Sequence, residues 1–212
     1  MQITLTNTGK RFNREWIFRG LSYDFFAPKK YAITGSNGSG KSTLLQVIAG
    51  AITHNEGTIK LQTTNHKPTC PAGRPPTTNE EPFKQISIAA PYLELIEEMT
   101  ANEFLSFHNA FKPLLISNEA VLQKVQLEKA ANKQIRYYSS GMKQRLKLAQ
   151  AFFCAAPVLL LDEPTTNLDA EGIALYHGLI KNYTTNKLVI ISSNDKQEYD
   201  FCEEVIAIEK YK

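Results

Sequence analysis

The sequence is short of cysteine and of long apolar runs, and each shortage removes a class of protein. Cys70, Cys154 and Cys202 are three in 212 residues, at wide and unrelated spacings. An odd, scattered set neither builds a disulfide framework nor offers the paired spacing of a zinc site, so a reducing cytosol is the expected compartment. His54, His66, His108 and His177 are scattered in the same way. His66 and Cys70 lie close together, but in a proline-rich stretch where the spacing has no helical meaning, and no metal is expected there. No segment approaches the roughly 20 apolar residues of a membrane helix, and the opening MQITLTNTGKRF lacks the apolar centre of a signal peptide. If the protein serves a membrane, another chain must span it. The net charge of +3 comes without any run of lysine or arginine, so nucleic acid is not an expected partner.

What is present reads as a packed globular chain. Hydrophobic residues make up 42% and charged residues 21% of the sequence, which is ordinary usage. The length suits a single domain, with or without a small appended lobe. Residues 2 to 6 alternate and residues 16 to 26 are apolar and aromatic-rich, so short strands are expected on either side of a turn at Asn13 and Arg14. Tyr31 to Ile33 form a short buried strand that enters a glycine-rich loop. Ser42 to Ala49 follow as a helix closed by Gly50. Glu56 to Leu61 form a strand, and Gln62 to Gln85, with Pro68, Pro71, Pro75, Pro76 and Pro82, form a loop by composition. After a strand at Ile86 to Ala90, helical patterning runs from about Thr100 to Lys133, broken near Pro113 and restarted at Ser117, a suitable cap. A helix at about Gly141 to Ala155 precedes Val158 to Leu161, whose unbroken apolar character suits a central parallel strand, as does that of Leu188 to Ile191. Helical patterning at Ala170 to Tyr183 separates them, and a last strand spans Val205 to Ile208. The alternation predicts an α/β fold with a parallel sheet.

Gly35, Ser36, Asn37, Gly38, Ser39, Gly40, Lys41 and Ser42 match GxxxxGK followed by Ser or Thr, between a strand and a helix. Glycines let such a loop curl until its N–H groups point at phosphate oxygens, and the helix adds its positive end. Lys41 would reach the β and γ phosphates, and the Ser42 hydroxyl would ligate magnesium. A chance glycine-serine turn is the bland alternative, and the flanking elements argue against it. The strand at Val158 ends in Asp162 and Glu163, where ligands bind in open α/β sheets. There Asp162 can hold magnesium through water, and Glu163 can orient or deprotonate the attacking water.

Tyr138, Ser139, Ser140, Gly141 and Met142, followed by Lys143, Gln144 and Arg145, resemble the signature that ATP-binding cassettes of the ABC family usually write LSGGQ. Glu163 continues through Pro164, Thr165, Thr166, Asn167, Leu168 and Asp169 in a run similar to that family's D-loop. The resemblance spans nearly the whole chain. It implies a P-loop NTPase (RecA-like) core at about 1–91 and 141–212, carrying an N-terminal antiparallel β subdomain and an inserted helical subdomain at about 92–140. It implies Mg-ATP held by Gly35 through Thr43. It also implies a second cassette, in a homodimer or heterodimer, whose Ser139 and Gly141 close over the nucleotide. Phe12 falls where the family stacks an aromatic on adenine, with Trp16 as the rival ring.

Two departures stand out. Pro91 and Tyr92 occupy the place of the family's magnesium-touching glutamine, with Glu94 as the other candidate. Asn194, within Ser192 to Asp195, replaces a histidine that contacts the γ-phosphate; it keeps one amide donor without a titratable charge, so hydrolysis is expected to be slow. Ser140 and Met142 also replace the signature's second glycine and its glutamine. The resemblance implies the ATP-hydrolysing subunit of a transporter, cytoplasmic and peripheral at the inner membrane face through a membrane-spanning partner, with a weak lean toward export. A soluble cassette and a weakly hydrolysing regulator are the alternatives.

Overall fold

The computed structural model describes residues 1–62 and 82–212. Cys70, His66 and most of the proline-rich stretch lie outside the described residues. Strand β1 (Gln2–Phe12) and strand β2 (Glu15–Phe26) form a hairpin turned at Asn13, whose φ is +53°. Strand β1 runs longer than the alternation of residues 2 to 6 predicts, while β2 adds one residue to the expected 16 to 26. Register shifts between Leu5 and Arg11 explain this, because they break the two-residue period without ending the pairing. Strand β4 (Glu56–Gln62) pairs on the other edge of β1, giving a three-stranded antiparallel sheet in the order β2-β1-β4. Gly57 sits there at φ +80°, where an added Cβ would come within 2.3 Å of the carbonyl oxygens of Thr6 and Asn7. The crossing therefore requires glycine.

The second sheet is parallel and five-stranded, in the order β5-β6-β7-β3-β8. Its strands are β3 (Lys30–Thr34), β5 (Ile86–Ala89), β6 (Val158–Asp162), β7 (Leu188–Ser192) and β8 (Glu204–Ala207). Every residue of β6 and β7 is buried, as their unbroken apolar runs require for strands covered on both faces. Alternate side chains take opposite sides. Leu159, Leu161, Val189 and Ile191 join a core beneath the helices, while Val158, Leu160, Leu188 and Ile190 join one shared with Ile3, Leu5, Phe18 and Phe25 of the antiparallel sheet. The sheet is thus the common wall of two cores.

Five α-helices are described: α1 (Lys41–Ile48), α2 (Ala101–Phe111), α3 (Asn118–Lys124), α4 (Ser140–Phe152) and α5 (Ala170–Tyr183). The expected break at Pro113 falls between α2 and α3, and Ser117 caps α3 by accepting from the Ala120 N–H. The helical pattern does not run on to Lys133, since α3 ends at Lys124 and short 3-10 turns carry the chain to Tyr137. Helix α4 starts at Ser140 and stops at Phe152, three residues before the expected Ala155. Leu105, Val121, Val125 and Ile135 belong to the same buried cluster as Leu146, Phe152 and Leu161, so the region from 92 to 140 packs onto the sheet core without a core of its own. Among the described residues no helix is long and apolar enough to cross a membrane. Cys154 and Cys202 are free thiols.

Candidate functional site

The loop from Gly35 to Gly40 leaves the carboxyl end of β3 and opens into α1. Gly40, the residue before the helix, has φ +104°, and an added Cβ would lie 2.4 Å from Ile17 Cγ2. A side chain at this position would both strain the backbone and collide with β2. No side chain caps α1, so its first N–H groups and its positive dipole end face the loop. The Lys41 ammonium is buried and donates to the carbonyls of Gly35 at 2.8 Å and Ser36 at 3.2 Å. It spans the loop from inside. A cleft of about 230 Å³ runs over this loop, lined by Ile17, Asn37, Gly38, Gly40, Lys41, Ser42, Thr43 and Glu163.

The strand register sets what faces the loop. Asp162 pairs with Ser192 across β6 and β7, and Ser192 pairs with Ile33 across β7 and β3. The carboxylate thus stands one strand away from the start of the loop. Asp162 is only 1% exposed. Burial pushes its carboxyl up, while the hydroxyls of Ser42 and Ser192 and the charge of Lys41 pull it down. Its Oδ1 is buried and has no hydrogen-bond partner, an expensive arrangement for an acidic oxygen left to itself.

Glu163 turns the chain out of β6 at φ +42°, with its N–H donating to the Ser192 carbonyl at 2.9 Å. A glutamate in the left-handed region carries backbone strain, a feature that concentrates at functional sites. Two further residues not read as site members in the sequence stand near the site, Ser192 beside Asp162 and Gln46 beside Tyr92. The Ser192 hydroxyl lies next to the carboxylate, and Gln46 hydrogen-bonds to the Tyr92 side chain. Burial and the Asp162 charge push the Tyr92 phenol up to about 12. Both side chains are exposed, but the Tyr92 phenol lies in the field of the buried aspartate, whereas the Glu94 charge acts on Lys147 of α4. A chain reading cannot choose between residues two apart, because the choice depends on which of them the bend after β5 turns inward.

Asn194 Nδ2 donates to Asn37 Oδ1 at 2.7 Å, tying the segment after β7 to the loop before α1. Phe12 is 49% exposed at the hairpin end, with Lys10 Nζ 4.8 Å from its ring centroid. The Trp16 ring is engaged by the guanidinium groups of Arg19 at 4.6 Å and Arg11 at 5.5 Å. Neither aromatic lines the cleft; Ile17, on β2 beside Trp16, does.

Ser139 and Gly141 stand apart from that cleft. Ser139 caps α4 by accepting from the Met142 N–H at 3.2 Å and is exposed. Gly141 lies against the Asn167 carbonyl, where a Cβ would approach to 3.0 Å. Gln144 of α4 donates to the Pro164 carbonyl at 2.8 Å, and Arg145 pairs with Asp169 at 3.2 Å. The start of α4 is thereby fastened to the segment that follows Glu163.

A family model described as ABC transporter matches residues 18–166. The uncharacterized ABC transporter ATP-binding protein YybJ of Bacillus subtilis is 30% identical over 199 residues, 92% of this chain and 87% of that protein. The cytochrome c biogenesis ATP-binding export protein CcmA of Bradyrhizobium diazoefficiens is 29% identical over 177 residues, 84% of this chain and 83% of its own length. Among solved structures, a dimeric ATP-binding cassette in a post-hydrolysis state with ADP and Pi superposes with a TM-score of 0.79 at 23% identity, over 98% of this chain and 95% of that one. The family match spans well over half the sequence and includes the loop at Gly35 and the acidic pair at Asp162, so the chain belongs to the ABC transporter family, as one of its ABC-type P-loop ATPases.

Proposed function

We propose that this chain is the ATP-binding subunit of an ABC transporter, binding and hydrolysing Mg-ATP to drive a substrate through a separate membrane-spanning subunit. The observation that carries the reading is the buried, unpartnered Oδ1 of Asp162 beside Ser42 and Lys41 at the mouth of the glycine loop. Ser42 and Asp162 are hard oxygen donors that fit magnesium, directly or through water. Bound there, the ion would neutralise charge on the β and γ phosphate oxygens.

The remaining roles follow from position. Lys41 exchanges its bonds to loop carbonyls for phosphate oxygens, and the N–H groups from Gly38 to Thr43 complete the cradle. Glu163 orients and deprotonates water at the open side of the cleft. Phe12 offers an exposed ring to adenine, and Tyr92 senses the nucleotide for the helical region in place of a glutamine. Ser139, which is exposed, and half-buried Gly141 close over ATP held by a second cassette, as a homodimer or heterodimer, and the assembly sits at the inner face of the membrane through its partner. Names of relatives such as CcmA, a cytochrome c biogenesis export protein, favour export over import.

Calorimetry with Mg-ATP and steady-state hydrolysis test the reading together. Lys41→Ala is expected to weaken ATP binding by roughly tenfold or more, given the strength of charge-assisted phosphate contacts. Glu163→Gln is expected to keep binding and lose about a hundredfold in turnover, the usual worth of a general base. Parent-like binding by Lys41→Ala, or parent-like turnover by Glu163→Gln, would remove the proposed site. A second reading, a regulator that binds ATP and hardly hydrolyses it, is favoured by one observation: the Asn194 amide is committed to Asn37. Single-turnover hydrolysis separates the two.

A further inference from the structure

Glu198 is a buried carboxylate that none of the roles above uses. It lies in a 3-10 turn, Lys196–Glu198, beyond the segment that carries Asn194, and is 3% exposed. Its Oε1 accepts two bonds from Thr165, from the backbone N–H at 2.7 Å and from the hydroxyl at 2.5 Å. The turn that carries Glu198 is anchored beside Asn194 through Asp195, whose carboxylate accepts from the Gln197 N–H at 3.0 Å and whose own N–H donates to the Ser193 hydroxyl at 2.9 Å, while Glu198 Oε2 is buried without a hydrogen-bond partner. The main chain at Glu198 is pinned from the opposite side, where the hydroxyl of fully buried Tyr176 in α5 donates to the Glu198 carbonyl at 2.7 Å.

A carboxylate in this position joins two loops that are otherwise far apart in sequence. Thr165 is two residues from Glu163, and Glu163 leaves β6 in a strained conformation that needs outside support. Thr165 is therefore held by a turn that Asp195 and Ser193 anchor on either side of Asn194. Removing a charged group from water is costly, and here the two Thr165 donors offset part of the cost. Burial still pushes the Glu198 carboxyl above its usual range. An apolar residue would fill the same space without linking the loops.

We propose that Glu198 is a positioning residue that locks the Glu163 loop to the Asn194 loop, so that the proposed water-orienting and γ-phosphate groups keep one fixed relative placement. The proposal rests on the ATPase reading for its catalytic consequence, but the mechanical link it asserts is independent of that reading. Glu198 acts through Thr165 and through the turn that follows Asn194, and touches no reacting atom.

Three variants test it in the full chain: Glu198→Ala, Glu198→Gln and Thr165→Val. A displaced base costs rate more than affinity, so Glu198→Ala should lower kcat roughly tenfold or more while KM for ATP stays within about twofold. Glu198→Gln keeps an amide oxygen for Thr165 and should recover most of the loss. Losses in Glu198→Ala and Thr165→Val should not add in the double variant. Hydrogen exchange read without nucleotide should show amides in 163–168 and 192–195 accelerating together in Glu198→Ala. Turnover equal to the parent, additive losses, or acceleration of one segment alone would overturn the proposal. A parent without ATPase activity would sink the ATPase reading and the catalytic consequence, while the exchange result still decides whether the loops are coupled.

Discussion

Asn194 and Phe12 show how much a single side chain depends on its immediate surroundings. The Asn194 amide is spent on Asn37, so a proposed γ-phosphate contact has to compete with a bond already made. An imidazole would bring a donor whose strength rises on protonation. Asn194→His is therefore expected to raise steady-state ATP hydrolysis, by up to about tenfold if one oriented donor is gained, and an unchanged or lower rate would count against this placement of the loop. The two rings near the hairpin separate in the same way. Trp16 is engaged by Arg19 and Arg11, whereas Phe12 is exposed with one cation nearby. Phe12→Ala should weaken ATP binding by roughly fivefold, matching about 1 kcal/mol of stacking, with Trp16→Ala close to the parent. Calorimetry that ranks them in reverse would assign the adenine to Trp16. The loop residues from Gly35 to Ser42 are legible in the sequence because their spacing is itself the conformation. Ile17 and Ser192 are not, because nothing local marks an isoleucine or a serine that reaches the site from another strand.

Elements repeat the lesson at larger size. Helix starts are readable wherever a cap is written into the chain: Ser117, Ser139 and Asp169 each accept a backbone N–H at the head of α3, α4 and α5. Thr100 does so for α2 within a reciprocal capping box with Glu103. Thr100→Ala should cost about 1 kcal/mol, measured by urea unfolding, with ATP affinity unchanged. A fall in affinity instead would mean that α2 reports directly to the cleft. Helix ends are less legible in the sequence. The 3-10 turns after α3 keep apolar residues such as Leu127 and Ile135 at near-helical spacing, and so imitate a longer helix. Central strands β6 and β7 were plain, since a strand covered on both sides has no polar residue to hide.

At the scale of the whole molecule, the parallel sheet is shared by two cores, and acid stability reports on the one beneath the helices. His108, on α2, is largely buried; burial, with the Lys112 charge adding, pushes its imidazole down to about 4 from 6.5. The unfolded chain binds the proton more readily than the fold does, so this contribution to stability is complete above pH about 6.5 and is lost as pH falls toward about 4. Thermal unfolding followed over that window should show a shallower decline in His108→Gln than in the parent; parallel curves would locate the acid sensitivity elsewhere. The phosphate loop, the acidic pair and the strand-helix alternation could be named without coordinates, because each is written within a few consecutive residues and depends on local backbone preference. That Tyr92 and not Glu94 lies in the field of Asp162, or that Glu198 meets Thr165, depends on the strand order β5-β6-β7-β3-β8 and on which way each loop leaves it. Contacts between distant segments are chosen by the packing of the assembled sheet and helices, and no stretch of chain contains that information alone.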